Sequence, residues 1–178
     1  SFQKIDLQNY NILNKALSDF MPQTVFNLAA ESHVDRSITS PKNFVKSNIN
    51  STINLLECVR NLLNKNNQLV NKFRFIHVST DEIFGSLKNN KNKFSENSKL
   101  DPSSPYSASK ASTDLIVSAW YKTYKIPIMI TNCSNNFGPW QYPEKLIPVI
   151  ILKLLKKEKV PIYGDGRNIR DWIYVLDH

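Results

Sequence analysis

What most constrains this chain is the alternation of short apolar runs with long helical ones. Three runs rich in β-branched and aromatic residues, at 24–30, 73–79 and 127–133, have the length of strands. Between them lie two stretches of helical spacing. One spans 41–63, with Phe44, Val45, Ile49, Ile53, Leu56, Val59, Leu62 and Leu63 as its apolar positions. The other spans 106–124, with Ala108, Ala111, Leu115, Ala119 and Trp120. A strand, a long helix and another strand make a βαβ unit, so the pattern predicts an α/β protein with a parallel sheet.

Smaller elements follow the same reading. Ile12, Leu13, Ala16, Leu17 and Phe20 predict a helix over 10–20 that Pro22 ends. Pro41 suits the start of the first long helix. Residues 31–37, 64–72 and 86–104 read as solvated loops, and 135–139, Asn-Asn-Phe-Gly-Pro, as turn chemistry. A further helix is expected over 144–158, a short strand over 160–163, and a tight turn at Gly164-Asp165-Gly166. The runs 24–30 and 73–79 both read as buried strands.

Composition narrows the function. The 178 residues suffice for one domain of ordinary size with a real core. The net charge of +8 rests mostly on lysines scattered among asparagines, and arginine, the usual reader of base edges, is scarce. No nucleic-acid motif supports that charge, so no nucleic-acid partner is expected. The longest aliphatic stretch, 146–155, is interrupted by Pro148 and Lys153 and is too short to span a membrane. Cys58 and Cys133 form no metal-ligand or disulfide framework, and His33, His77 and His178 form no cluster. A reducing cytoplasmic setting without a metal site is the expectation. The chain begins at Ser1 and stops at His178 without an initiator Met or a tail, which reads as a piece of a longer protein.

Two constellations carry chemistry. At the expected end of the 73–79 strand stands Ser79-Thr80-Asp81-Glu82-Ile83-Phe84-Gly85. Ligands of open parallel sheets bind at the carboxyl ends of strands, and adjacent carboxylates there are costly to leave unpaired. A solvated turn is the other reading. Tyr106 and Lys110 are one helical turn apart on one face. A tyrosine with its ordinary pKa near ~10 is a poor base at neutral pH, and a neighbouring ammonium stabilises its phenolate. A surface pair on an amphipathic helix is again the alternative.

With these motifs in place, the chain resembles the extended short-chain dehydrogenase/reductase superfamily, and within it the sugar-nucleotide dehydratases. The resemblance runs through Leu28-Ala29-Ala30-Glu31-Ser32-His33-Val34-Asp35-Arg36-Ser37, Ser79 to Gly85, and Tyr106-Ser107-Ala108-Ser109-Lys110. It continues in Asn132 to Pro139, in Pro143-Glu144-Lys145-Leu146-Ile147-Pro148, and from Tyr163 to Trp172. It implies a Rossmann-like doubly wound parallel sheet, with an NAD-binding portion over 1–139 and the beginning of a nucleotide-sugar portion over 140–178. NAD is the implied cofactor and dTDP-glucose the implied substrate. The adjacent Asp81 and Glu82 are the discriminating part, since epimerases of the superfamily keep the Tyr and Lys without the paired acids.

The resemblance also implies roles. Tyr106, Lys110 and Thr80 serve oxidation at the sugar C4, and Glu82 and Asp81 serve elimination of water across C5 and C6. Cofactor contacts fall on Asp6, Leu7, Leu28, Ala29, Ala30, Glu31, Ser47, Tyr106, Lys110 and Asn136. Substrate contacts fall on Ser32, Thr80, Asn135, Lys145, Leu146, Pro161, Ile162, Tyr163 and Arg170. A homodimer through the helices 41–63 and 106–124 is implied too. Departures exist: no glycine precedes Gly85, so the glycine-rich phosphate turn is missing, and Phe84 and Phe137 stand where tyrosine is usual. With the family's first strands missing, an unpaired edge beside the 24–30 strand is expected, and these residues by themselves are expected to be inactive. Another sugar-nucleotide dehydratase, a 4-epimerase, or a non-catalytic sugar-nucleotide binder are the competing readings.

Overall fold

The computed structural model describes residues 2–87, 93–162 and 165–178. Two compact units divide the chain, Ser1–Asn132 and Cys133–His178.

In the first unit, α1 (Tyr10–Phe20) is capped by the Asn9 side chain, which accepts from the Ile12 amide. It stops at Met21, whose left-handed φ of 50° turns the chain before Pro22. Strand β1 (Thr24–Asn27) follows and is shorter than the apolar run that announced it. It lies at the edge of a three-stranded sheet, so Phe26 is exposed and Asn27 is its buried residue. The expectation of a buried strand is therefore corrected, while the expected edge is present.

The stretch read as a loop over 31–37 folds instead into α2 (Val34–Thr39), capped by His33 Nδ1, which accepts the Arg36 amide. The long helix starts with Pro41 in its first turn as α3 (Pro41–Phe44) and passes through a π-helical turn, Val45–Asn50. It continues as α4 (Ser51–Lys65). Residues of the Asn/Lys segment 64–72 form a short α5 (Asn67–Val70), because Leu69 and Val70 pack against the core.

Strand β2 (Arg74–Thr80) pairs in parallel with β1, placing Asn27 opposite His77. Then come α6 (Pro105–Tyr124) and β3 (Ile128–Cys133), giving the sheet order β1-β2-β3. The core beneath the sheet joins Leu13, Leu55, Leu56, Val59, Leu63, Phe73, Phe75, Val117 and Ile126. Full burial of each such side chain contributes about 1.5–3 kcal/mol. From α1, Leu13 reaches this core, while Ile12 and Phe20 stay exposed.

In the second unit, β4 (Asn135–Phe137) pairs in parallel with β5 (Trp172–Tyr174), and α7 (Leu146–Leu155) lies between them in sequence. Residues 135–137 are thus strand rather than turn, because Trp172 to Tyr174 supply a partner from far along the chain. The strand expected over 160–163 is not formed by 160–162, and Tyr163 and Gly164 lie outside the described residues. Among the described residues no helix is long and apolar enough to cross a membrane.

Candidate active site

The buried face of β2 changes character along its length. Phe75 is apolar, His77 and Ser79 are polar, and all three are buried. The strand ends at Thr80, whose hydroxyl accepts the Glu82 amide at 3.3 Å. That cap starts a 3₁₀ turn, Asp81–Phe84, with both carboxylates in its first turn. Ile83 and Phe84 pin the turn by packing against Ala111 of α6. Thr80, Asp81 and Glu82 are each half-buried.

The other half of the set comes from α6. Pro105 occupies its first turn, and Ser104 and Ser107 cap each other reciprocally: the Ser107 amide donates to Ser104 Oγ at 3.1 Å and the Ser104 amide to Ser107 Oγ at 3.0 Å. Such a capping box contributes about 1 kcal/mol and fixes where the helix begins. It puts Tyr106 in the first turn, its ring edge-on to Phe44 with centroids 6.4 Å apart. One turn on, Lys110 is only 5% exposed, and its Nζ donates to the Val78 carbonyl at 2.8 Å. The helix packs against both β2 and the Asp81–Phe84 turn. The structure therefore brings Tyr106 and Lys110 to the element pair that carries Thr80, Asp81 and Glu82.

A third segment joins them. After β1 the residues Leu28, Ala29, Ala30, Glu31 and Ser32 follow the same carboxyl edge of the sheet, since β1 and β2 run parallel. Asn48, 1% exposed, holds this segment: its Oδ1 accepts the Glu31 amide at 2.8 Å and its Nδ2 donates to the Glu31 carbonyl at 3.1 Å. The same Nδ2 donates to Ser109 Oγ at 2.9 Å, and Ser109 in turn donates to the Tyr106 carbonyl at 2.7 Å. Asn48 sits in the π-helical turn, and π-turns within helices often mark functional sites. Sequence reading missed Asn48 and Ser109, because nothing in local spacing announces a π-turn.

Beneath the site lies a buried polar layer. His77 Nδ1 lies 3.1 Å from Asn27 Nδ2, which can only donate, so Nε2 carries the ring proton. Nε2 lies 3.2 Å from Thr113 Oγ1 and 3.5 Å from Asp114 Oδ1; the shorter contact is the hydrogen bond and the longer an electrostatic one. Burial above all, with the Lys110 charge adding, holds the His77 pKa below its ordinary value against the opposing pull of Asp114. The ring is a neutral support. The signal available in sequence was a histidine at a position of β2 that alternation assigns to the core.

Two cofactor candidates stand at a different place. Asp6 Oδ1 accepts the Gln8 amide at 2.9 Å, and Asn54 Nδ2 donates to the Leu7 carbonyl at 3.0 Å. Beside them a cleft of about 370 Å³ is lined by Gln8, Asn50, Ile53 and Asn54. Its lining contains none of Thr80, Asp81, Glu82, Tyr106 or Lys110. Ser47 is half-buried in the π-turn.

The remaining candidates belong to the second unit. Asn135, in β4, donates its amide to the Asp171 carbonyl at 3.3 Å. Asn136 Nδ2 donates to the Ser134 carbonyl at 3.2 Å, and its Oδ1 pairs with His178 Nδ1 at 2.8 Å. Lys145 precedes α7 and Leu146 begins it. Pro161, Ile162 and Arg170 are exposed, and Arg170 donates to the neighbouring Ile169 carbonyl at 2.9 Å. Asp165 lies 3.7 Å from Arg167, so that carboxylate pairs with Arg167. Tyr163 lies outside the described residues.

The profile of the GDP-mannose 4,6 dehydratase family matches residues 1–178. The chain belongs to this family. Within it, the sequence likeness is to dTDP-glucose 4,6-dehydratases. The chain is 49% identical over 180 residues to a probable dTDP-glucose 4,6-dehydratase of Sinorhizobium fredii, covering 99% of this chain and 51% of that protein. Among solved structures, a dTDP-glucose 4,6-dehydratase double mutant from Streptomyces venezuelae with NAD bound matches with a TM-score of 0.88 at 39% identity. That match covers 98% of this chain and 50% of that one. A UDP-glucuronic acid 4-epimerase from Bacillus cereus matches almost as well, with a TM-score of 0.86, but at 30% identity; it covers 99% of this chain and 52% of that one. The fold is the Rossmann-like parallel α/β fold of these enzymes, and it does not by itself separate dehydratase from epimerase. The chain spans about half the length of the curated relatives it matches.

Proposed function

We propose that the intact protein is an NAD-dependent lyase that dehydrates dTDP-glucose to dTDP-4-keto-6-deoxyglucose. The observation that carries this reading is the adjacency of Asp81 and Glu82 on one anchored turn, packed against the helix that bears Tyr106 and Lys110. A dehydratase must take a proton from carbon and give one to a leaving hydroxyl, so it needs two positioned acid–base groups in addition to the oxidising pair. An epimerase does not.

The residues here fit the nicotinamide end and the adenine end of the cofactor. Lys110 stands beside the strand end for the nicotinamide ribose, and the Asp6–Gln8 loop with Asn54 offers polar groups at a cleft for adenine. Leu28 to Glu31, Ser47 and Asn136 are assigned to the cofactor as well. No residue before Gly85 is a glycine, so a tight glycine turn for the pyrophosphate is not among these 178 residues. Held by these residues, NAD would supply the hydride chemistry, with acceptance from C4 and return to C6. Tyr106 takes the 4-hydroxyl proton, with Thr80 hydrogen-bonded near that oxygen. Glu82 removes the proton from C5, made acidic by the neighbouring ketone, while Asp81 protonates the departing 6-hydroxyl. The net change is loss of water.

In this assignment residues 1–139 form the NAD-binding portion with the catalytic residues, and 140–178 begin the nucleotide-sugar portion. Ser32 and Asn135 face the sugar, and Lys145, Leu146, Pro161, Ile162, Tyr163 and Arg170 face the nucleoside diphosphate. A guanidinium offers the fork of donors a diphosphate needs. A homodimer through the 41–63 and 106–124 helices is part of the proposal, and Leu115 and Tyr121 of α6 are exposed apolar residues available to it.

The test is incubation of the intact protein with dTDP-, UDP- and GDP-glucose, followed by product analysis. A 4-keto-6-deoxy product from dTDP-glucose is expected; a C4 epimer as sole product refutes the proposal. Glu82→Gln should spare oxidation at C4 and slow product formation by about 10²–10⁴-fold.

A further inference from the structure

The proposed reaction draws its groups from two elements, and the structure contains a device that ties those elements together. One turn beyond Lys110 on α6, Asp114 is 8% exposed. A carboxylate that deep is costly unless it is hydrogen-bonded. Its Oδ2 accepts from Asn132 Nδ2 at 2.9 Å, and the same amide nitrogen lies 3.5 Å from the carbonyl oxygen of Thr80. One side-chain amide, with two hydrogens, thus bridges α6 to the last residue of β2. The backbone runs directly from that residue into Asp81 and Glu82.

Resting on the functional reading above, we infer that Asp114 is a positioning residue which, through Asn132, sets the placement of the Asp81–Glu82 turn relative to Tyr106 and Lys110. The bond from Lys110 Nζ to the Val78 carbonyl joins the same two elements at one point. Pairing with β1 and β3 holds β2 within the sheet, and this bond ties it to α6 at one point along its carboxyl end. The Asp114–Asn132–Thr80 relay supplies a second point two residues further along β2, and two points fix a direction.

The relay is itself braced. Asp114 Oδ1 faces His77 Nε2 at 3.5 Å, and His77 is held by Asn27 from the next strand and by Thr113 from α6. Thr113 also donates to the Lys110 carbonyl at 2.7 Å, so the brace returns to the turn of α6 that carries the oxidising pair. Apolar packing of Ile83 and Phe84 on Ala111 keeps the turn against the helix. Dispersion contacts are non-directional, however, and a carboxylate–amide–carbonyl chain is not. Oxidation at C4 and elimination at C5 and C6 occur on adjacent carbons, so the two sets must keep their separation to within about 0.5 Å.

The test compares Asn132→Leu, Asp114→Leu and Asp114→Asn in the intact protein. Misplacing the acid pair slows elimination while leaving oxidation possible. Asn132→Leu and Asp114→Leu should therefore lower kcat about 10–100-fold with KM for the sugar nucleotide little changed. Enzyme-bound reduced nicotinamide, read by its near-ultraviolet absorbance, should build up during turnover. Asp114→Asn retains an oxygen that accepts from Asn132 and should restore most of kcat and abolish the build-up. The inference is overturned by unchanged kcat in Asn132→Leu, by a loss without accumulated reduced cofactor, or by Asp114→Asn failing as badly as Asp114→Leu. If the wild-type protein forms no dehydrated product, the function proposed above is what fails. Hydrogen exchange then decides the positioning role: amides of the Asp81–Phe84 turn opening about 10-fold faster in folded Asn132→Leu support it, and unchanged rates overturn it.

Discussion

Gly85 closes the turn that carries Asp81 and Glu82, and its replacement tests how tightly that turn is held. Its φ of +78° and ψ of −143° lie close to a region that side-chain-bearing residues almost never adopt, and forcing one there costs about 1–3 kcal/mol. In Gly85→Ala the new Cβ would also collide with the Asp101 carbonyl oxygen. That oxygen is backbone and cannot swing aside as a side chain would. The Asp101 amide donates to the Ile83 carbonyl at 3.0 Å, so retreat of the Asp101 segment strains that bond, worth about 1 kcal/mol more. The sum is about 2–4 kcal/mol, a large share of the roughly 5–15 kcal/mol by which domains are stable. Urea unfolding of the intact protein and its Gly85→Ala variant reads the difference as a lowered midpoint with an unchanged slope. A loss below about 1 kcal/mol would show that the turn shifts freely, and the argument that Gly85 anchors the paired acids would be wrong.

Asn48→Ala removes one amide that satisfies both Glu31 backbone groups and Ser109, and should cost about 1–3 kcal/mol in denaturant titrations. Asn48→Asp keeps the acceptor for the Glu31 amide and should recover part of that loss. His77 has its pKa held below the ordinary 6.5, so the unfolded chain takes up that proton first as pH falls. Its contribution to stability is therefore present above 6.5 and is lost as pH drops toward the lowered folded value. His77→Gln should flatten that acid limb by at most about 1.4 kcal/mol per pH unit in stability-versus-pH curves; an unaltered slope would contradict the burial argument. Burial, with Glu57 adding, pushes the Cys58 thiol up to about 11. Mass spectrometry after alkylation at neutral pH should find Cys58 unmodified until the protein is unfolded.

Much of this architecture was legible because it rests on interactions local in sequence. The helical spacing of 10–20 and of 106–124 marks helices whose ends the structure places at Tyr10–Phe20 and Pro105–Tyr124. The strand over 73–79 was legible because a β-rich run stops at a hydroxyl and two acids; the structure ends it at Thr80, whose hydroxyl caps the next turn. The spacing of Tyr106 and Lys110 follows from helical geometry alone. Other elements were not legible. Val34–Thr39 lacks an apolar stripe, and its helix depends on the His33 cap. Asn135–Phe137 has turn-forming composition, and becomes a strand only because Trp172–Tyr174 lies alongside it.

By itself, then, the sequence determined the parallel α/β order, the strand end with its paired carboxylates, and the tyrosine and lysine on one helical face. These follow from periodicity, caps and neighbouring residues. Only the tertiary structure decided what holds those groups in place. Asn48 meets Ser109 across 61 positions of chain and His77 meets Asn27 across 50, while Asp114 and Asn132 join a helix to a strand. Such contacts have no periodic signature. They arise because polar groups enclosed by folding must find partners among whatever other elements the packing brings within hydrogen-bond reach.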